Sequence, residues 1–176
     1  MQYGILSHER ASKLVHYDIS LSDFQDKRNL KTVPGGLKLH QYANLYFCAR
    51  NPMMYKRRGH RDNLCVLRIS KALLKLRDVV LADQNAASKY VSFYKSPQGL
   101  NCIDFAMVFA DNWTHPEDKI TEWRHKSAKC AEVLVPHCID IGYIDGAYVA
   151  NETAEINLKN AKFDKPITIN ENMFFM

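Results

Sequence analysis

The stretch Tyr42-Ala43-Asn44-Leu45-Tyr46-Phe47-Cys48-Ala49-Arg50-Asn51-Pro52-Met53-Met54-Tyr55 decides how the rest of the chain is read. Its first part, Tyr42–Ala49, has the aromatic and apolar density of a buried strand. Asn51-Pro52 ends that strand, and because proline is tolerated in a first turn, a helix is expected from Met53 to Lys56. Downstream, Leu64–Ile69 reads as a second strand, Ser70–Leu76 as a short helix and Val79–Ala82 as a third strand. Ala86–Tyr94 and Asp118–Lys129 have helical composition, while Cys130–Val135 and Ile139–Ile144 read as strands. A helix from Thr153 to Ala161 and a strand at Ile167–Asn170 follow. Upstream, residues 9–17 read as a short helix with Leu14 and Val15 as its apolar contacts. Ser22 caps a turn around Asp23–Arg28, and Val33-Pro34-Gly35-Gly36 is a loop because Pro fixes φ and Gly permits positive φ. Strands and helices mix without a βαβ rhythm, which excludes a doubly wound parallel sheet and leaves an α+β domain.

The 176 residues suit one domain, 1–176, with enough chain to bury a core without metal or disulfide staples. A hydrophobic fraction of 47% excludes wholesale disorder. No apolar run reaches the roughly 20 residues of a membrane span, and Met1-Gln2-Tyr3-Gly4-Ile5-Leu6 lacks the features of a signal peptide. The expectation is a soluble cytoplasmic protein with no membrane partner. Cys48, Cys65, Cys102, Cys130 and Cys138 are odd in number and show no C-x-x-C spacing, so buried thiols are expected rather than disulfides or a metal site. There is no P-loop, G-x-G-x-x-G, H-E-x-x-H or G-x-S-x-G.

The net charge is +5, but its distribution says more. Between Arg50 and Arg77 stand Arg50, Lys56, Arg57, Arg58, Arg61, Arg68, Lys71, Lys75 and Arg77, against the single acid Asp62. The densest part, Lys56-Arg57-Arg58-Gly59-His60-Arg61, reads as an exposed loop that repels itself unless an anion is present. Phosphate backbones are the commonest such partner, and Tyr42, Tyr46, Phe47 and Tyr55 offer stacking surfaces for bases. A plain solvated basic surface is the alternative.

Two polar features disturb an otherwise structural pattern. Glu132 interrupts Cys130-Ala131-Glu132-Val133-Leu134-Val135, where alternation puts Cys130, Glu132 and Leu134 on one face and Ala131, Val133 and Val135 on the other. A carboxylate there faces solvent, a partner or a reactive site. Asp26-Lys27-Arg28-Asn29, just ahead of the glycine loop, is either an ordinary turn or a polar patch with a task.

Taken together, Val33-Pro34-Gly35-Gly36, Leu39-His40-Gln41-Tyr42 and Leu45-Tyr46-Phe47-Cys48-Ala49-Arg50-Asn51-Pro52-Met53-Met54-Tyr55 resemble the DarT family of DNA ADP-ribosyltransferase toxins. The family pattern is a Gly-rich loop, an L-H-x-Y element and Y-F-x-x-R-x-P-M-x-Y. Gly4-Ile5-Leu6-Ser7-His8, Gln25-Asp26-Lys27-Arg28, Asp83-Gln84-Asn85-Ala86, Asp111-Asn112-Trp113 and Lys129–Val135 extend the likeness in order along the chain. The resemblance implies two small, mostly antiparallel sheets forming an NAD cleft with flanking helices. It implies transfer of ADP-ribose from NAD, as co-substrate and without metal, to a base in single-stranded DNA. It also implies a toxin–antitoxin setting with a macrodomain antitoxin as partner. By position, Arg28 and Glu132 take the catalytic places, Ser7 and Arg28 contact NAD, and residues 12–30 form the NAD-binding element. Met53 falls near the bound base, the region from about Ala82 to Glu132 recognises substrate and includes Asn85, and Lys56, Arg57 and Arg58 track the DNA.

These residue types suit that chemistry. Loss of nicotinamide passes through an oxocarbenium-like state, which a carboxylate such as Glu132 stabilises while holding the ribose hydroxyls. Arg28 offers a fork of donors to pyrophosphate. The resemblance further implies that Arg28 helps remove a proton from the base, although a free guanidinium with pKa above 12 is a poor base. Family members carry an additional strand and helix with a His-x-x-His-like element ahead of the glycine matching Gly4. Its absence from the sequence is read either as a true start lying upstream of Met1 or as an N-terminal truncation, and the second reading implies an unpaired sheet edge and poor NAD affinity. Two other functions stay open at the level of sequence: a non-catalytic single-stranded nucleic-acid-binding relative, and a transferase acting on RNA or protein.

Overall fold

The structure, a computed structural model, describes residues 3–16 and 22–175. The chain runs through β1 (Ile5–Leu6), α1 (His8–Ala11), α2 (Ser22–Asn29), β2 (Tyr42–Tyr46) and α3 (Pro52–Lys56). It continues with β3 (Cys65–Ile69), β4 (Val80–Ala82), β5 (Phe93–Lys95), α4 (Phe105–Phe109) and α5 (Lys119–Ala128). Last come β6 (Glu132–Pro136), β7 (Cys138–Ile139), β8 (Ile144–Val149), α6 (Glu152–Asn160) and β9 (Ile167–Ile169). Short 3-10 turns fill several connections, including Leu39–Gln41, Arg58–Asn63 and Lys71–Lys75.

Two main sheets and one minor pair result. The first has strand order β2-β6-β4-β5 and is antiparallel throughout. The second, β3-β8-β9, combines an antiparallel and a parallel pairing, and β1 pairs only with β7. This is the mostly antiparallel α+β architecture expected. The position of β6 matters most: it lies between β2 and β4, so Glu132 at its start faces Tyr46 on one side and Ala82 on the other.

Alternation along β6 divides the core as its sequence predicts. Ala131, Val133 and Val135 pack with Ala43, Leu81, Val79 and Ile103. Leu134 points the other way, against Val33, Leu39, Tyr42, Ala82 and Ala86. The Val33–Gly36 loop closes that second cluster through Val33 N–H to Leu37 O (2.9 Å) and Gly36 N–H to Val33 O (2.9 Å). Gly35 turns it at φ +67°, a conformation costly for a side chain bearing Cβ. At Gly36 an added Cβ would sit 2.6 Å from the Tyr42 hydroxyl, so the loop and strand β2 meet only because that residue is bare.

Several local expectations are corrected. The helix read at 9–17 is the single turn α1, and Leu14 and Val15 are exposed rather than packed. The turn at Asp23–Arg28 is instead the helix α2. Ala86–Tyr94 is not helical: residues 84–91 turn and Phe93–Lys95 pair as β5, since the backbone there is recruited by β4 and by a carboxylate. Ile139–Ile144 breaks at Asp140, whose side chain accepts from Gly142 N–H, so β7 and β8 join different sheets. Tyr42–Ala49 keeps strand pairing only to Tyr46. Of the five cysteines only Cys130 is buried, while Cys65 and Cys102 are exposed. Among the described residues no helix is long and apolar enough to cross a membrane.

Candidate active site

The site grows from the carboxylate of Glu132, which has no exposed surface although it stands in an apolar strand. Such burial requires compensation, and two elements provide it. Arg28, near the end of α2, places Nη1 3.2 Å from both Oε1 and Oε2. The backbone N–H of Ala86 donates to Oε1 at 2.9 Å. Arg28 and Glu132 are separated by 104 positions, so only the fold brings them together. Among the described residues Nη2 of Arg28 is buried without a hydrogen-bond partner, although a charged guanidinium donor calls for one.

Neighbouring groups respond to that charge. Burial, and then the negative charge of Glu132, push the Tyr46 phenol well above its ordinary range. The same two causes push the Cys130 thiol up to about 12, so Cys130 stays a neutral thiol. On the far side of Arg28, His40 Nε2 meets Gln25 Oε1 at 3.0 Å, tying α2 to the Leu39–Gln41 turn. The His8 and His40 rings lie 4.3 Å apart. Burial, and after it His8 and Arg28, lower the pKa of His40.

Beside the pair opens a cavity of about 350 Å³. Tyr46, the cross-strand partner of Glu132, forms one wall with Cys130, while Met53 and Lys56 of α3 form another. Asn85 and Ala87, which flank the Ala86 donor, and Lys27, next to Arg28, complete the side nearest the carboxylate, and Lys126 and Ser127 bring the end of α5. A second, larger cavity of about 720 Å³ lies on the Val133 side of the sheet against β3; Tyr46 and Met53 border both. Met53 is held because Asn51, 2% exposed, caps α3, accepting from Met53 N–H (2.9 Å) and Met54 N–H (3.1 Å).

The residues singled out by sequence are therefore distributed unevenly. Asn85, Met53 and Lys56 line the smaller cavity; Arg28 and Glu132 pair with each other and adjoin it through their neighbours Lys27 and Tyr46 without lining it. Ser7 is buried at the start of α1, its hydroxyl accepting from Arg10 N–H at 3.3 Å, beside the His8–His40 contact. Arg57 borders the larger cavity. Arg58 lies over the Tyr55 ring at 4.2 Å and donates to Tyr55 O. Tyr42 is buried in the core and offers no stacking surface, while Phe47 is partly buried, edge-on to Phe105, and lines the larger cavity. The Ala86 donor had no sequence signal, because a backbone N–H has no residue type. Arg50 has a task that its place in a basic run does not reveal: it donates to Asn172 O (3.0 Å) and Phe174 O and lies over the Phe175 ring at 4.4 Å. Among the described residues no group of His, Cys, Asp or Glu is arranged to hold a metal ion.

This geometry has counterparts. The sequence profile of a family described as ssDNA thymidine ADP-ribosyltransferase, DarT, matches residues 1–175. The chain belongs to the DarT family. A DNA ADP-ribosyl transferase–DNA ADP-ribosyl glycohydrolase fusion protein of Thermosipho africanus is 28% identical over 186 residues, covering 100% of this chain and 46% of the relative. A DNA ADP-ribosyl transferase of Thermus sp. is 30% identical over 147 residues, covering 77% of this chain and 67% of the relative. The chain thus spans about half the length of the fusion relative. Thermosipho africanus DarTG in complex with ADP-ribose superposes with a TM-score of 0.83 at 27% identity, over 98% of this chain and 46% of that one. Thermus sp. 2.9 DarT in complex with ADP-ribosylated ssDNA gives a TM-score of 0.82 at 22% identity, over 97% of this chain and 86% of that one, and supports the fold. The DarT fold is thereby established for this chain.

Proposed function

We propose that this DarT chain transfers ADP-ribose from NAD to a thymine base in single-stranded DNA, with Glu132 and Arg28 as its catalytic residues. The observation that carries the reading is the buried Arg28–Glu132 pair at 3.2 Å beside a cavity walled by Met53, Lys56 and Asn85. NAD is the donor substrate, and no metal takes part. In the reaction the bond from ribose C1′ to the nicotinamide nitrogen breaks and nicotinamide leaves with the bonding pair. A thymine ring nitrogen then bonds to C1′, and its proton departs. In thymidine only one ring nitrogen carries a hydrogen, which identifies the acceptor atom.

Glu132 stabilises the positive charge that develops on the ribose ring from its buried place next to the cavity wall formed by Tyr46 and Cys130, where low dielectric strengthens the effect. The Ala86 N–H keeps the carboxylate aimed, and Arg28 Nη1 holds both its oxygens. That leaves Nη2, the unpartnered donor, for the pyrophosphate of the donor or for an oxygen of the acceptor base. Ser7 and the His8–His40 pair lie behind Arg28, on the side proposed for the rest of NAD. Lys56 and Met53 approach from the acceptor side. Arg57 and Arg58 belong to the same basic surface but lie away from this cavity, so Lys56, which lines it, is assigned the larger share of DNA contact. A relative that unites transferase and glycohydrolase in one chain supports a toxin paired with a macrodomain antitoxin that removes the mark. Residues 1–176 are read as one domain acting in the cytoplasm.

The test is incubation of the protein with NAD and four acceptors in parallel: a thymine-containing oligonucleotide, the same oligonucleotide without thymine, RNA and a bulk protein. The expected product is a single ADP-ribosyl adduct on the thymine-containing strand, seen by mass spectrometry. Tight oligonucleotide binding with no adduct would favour the non-catalytic relative, and label on RNA or protein would reassign the acceptor.

A further inference from the structure

The helix α5 has two unlike faces, and the proposed function uses only its last turn. Glu122, His125 and Lys129, spaced at helical intervals, are buried. Ile120 and Trp123 point the other way, 62% and 70% exposed, and the same stripe ends at Lys126 and Ser127 in the wall of the 350 Å³ cavity. An indole left in water at the rim of a reactive cavity is unusual for packing alone, since aromatics are among the side chains that gain most from burial. Around α5 the charges balance, Lys119, Arg124 and Lys126 standing against Glu117, Asp118 and Glu122, with Glu122 shared by Lys119 at 3.9 Å and Lys126 at 2.6 Å; the positive charge lies at the cavity, which Lys27, Lys56 and Lys126 line without an acid among them. A lysine-lined cavity with an exposed ring one helical turn from its Lys126–Ser127 wall offers the two requirements of single-strand binding, a charged track and a stacking platform.

We propose that Trp123 is the stacking platform for the nucleotide next to the target base, so that α5 guides the strand into the cavity. This rests on the reading of DNA as acceptor and deepens it by assigning where the neighbouring base sits. Trp123 touches no reacting atom and acts on acceptor affinity and on tolerance of the flanking nucleotide.

The protein has two tryptophans. Trp113 is 8% exposed, so quenching of indole emission by an added strand reports on Trp123. The full chain is titrated, without NAD, with a thymine-containing oligonucleotide and with versions in which the base on either side of the thymine is replaced by an abasic site. The proposal expects quenching on binding, its loss in Trp123→Phe with Kd kept within about threefold, and about tenfold weaker binding for Trp123→Ala. On the oligonucleotide lacking the relevant neighbouring base, wild type and Trp123→Ala bind alike. Binding without quenching, an unchanged Kd for Trp123→Ala, or an equal loss on every abasic strand would overturn it and leave the ridge to a protein partner. The abasic series on wild type needs no variant, so a misfolded Trp123→Ala does not block the answer. Because the titration omits NAD, a platform without any adduct sinks the transfer reading alone, whereas full transfer with no Trp123 effect sinks this inference alone.

Discussion

At the scale of single residues, the proposed chemistry rests on a carboxylate with no exposed surface. A buried charge is tolerable only while its partners stay, so removing Glu132 should strand Arg28, whose side chain is 11% exposed. Glu132→Ala is expected to lower the unfolding free energy by about 3–5 kcal/mol in urea. Arg28→Met should cost much less in that background than in wild type, and additive losses would deny the coupling. Burial, and after it the same charge, sets an alkaline limit. The Cys130 thiol is pushed up to about 12 from an ordinary value of 9.0, so the folded state favours the neutral form. A folded-state pKa above the unfolded one gives stability that is complete below about pH 9 and lost as pH rises toward about 12. Melting temperature should therefore fall over that range, and Cys130→Ser, which cannot ionise there, should flatten the decline. An identical alkaline slope in the variant would place the titrating group elsewhere.

At the scale of elements, α3 shows how a loop motif becomes a functional wall. Asn51 satisfies two first-turn N–H groups and also donates to Cys48 O at 2.9 Å, so it fixes both the start and the direction of the helix. Asn51→Ala should cost about 1 kcal/mol in thermal or urea unfolding, and should weaken oligonucleotide binding because Met53 and Lys56 lose their placement. The basic block divides in the same way. Lys56→Ala should weaken DNA binding and reduce the salt slope by about 0.7 for each phosphate no longer neutralised, whereas Arg58→Ala should do little, its guanidinium being over Tyr55. Equal effects from the two substitutions would contradict this division. Much of this element was legible: Asn51-Pro52 announces a cap, and the unexpected acid in Cys130–Val135 announces a site. What stays hidden in the sequence is non-local. Nothing in Ala86–Tyr94 reveals that its backbone serves β4 and Glu132, because a backbone donor is chosen by tertiary position and not by residue type. Likewise the stacking offered by Tyr42 looked available only because burial cannot be read from aromatic content.

At the scale of the whole molecule, the C-terminal segment packs back onto α3 and its surroundings. Phe175 packs against Tyr55 at 5.4 Å and Trp113 at 5.6 Å, while Arg50 grips the carbonyls of Asn172 and Phe174. Trp113 in turn lies 5.7 Å from Lys129 Nζ, which donates to Ala110 O at 2.7 Å just before β6. One connected chain of packing thus joins the tail, α3 and the strand that carries Glu132. Phe175→Ala should lower the melting temperature by about 2–4 °C for each kcal/mol of stability it removes, and an unchanged melting curve would show the tail to be dispensable. The overall likeness to DarT proteins, legible in ordered motifs from Gly4 to Val135, is a likeness of this framework, in which two distant segments are brought to 3.2 Å. The decisive comparison is between wild type and Glu132→Gln, which keeps the shape and removes the charge. Both are incubated with NAD and a thymine-containing single strand, and the adduct is counted by mass spectrometry. Wild type should place one ADP-ribosyl group on thymine, and the variant should do so at a rate lower by about 10²–10³-fold with similar DNA affinity; equal modification by Glu132→Gln would contradict a catalytic carboxylate at this position.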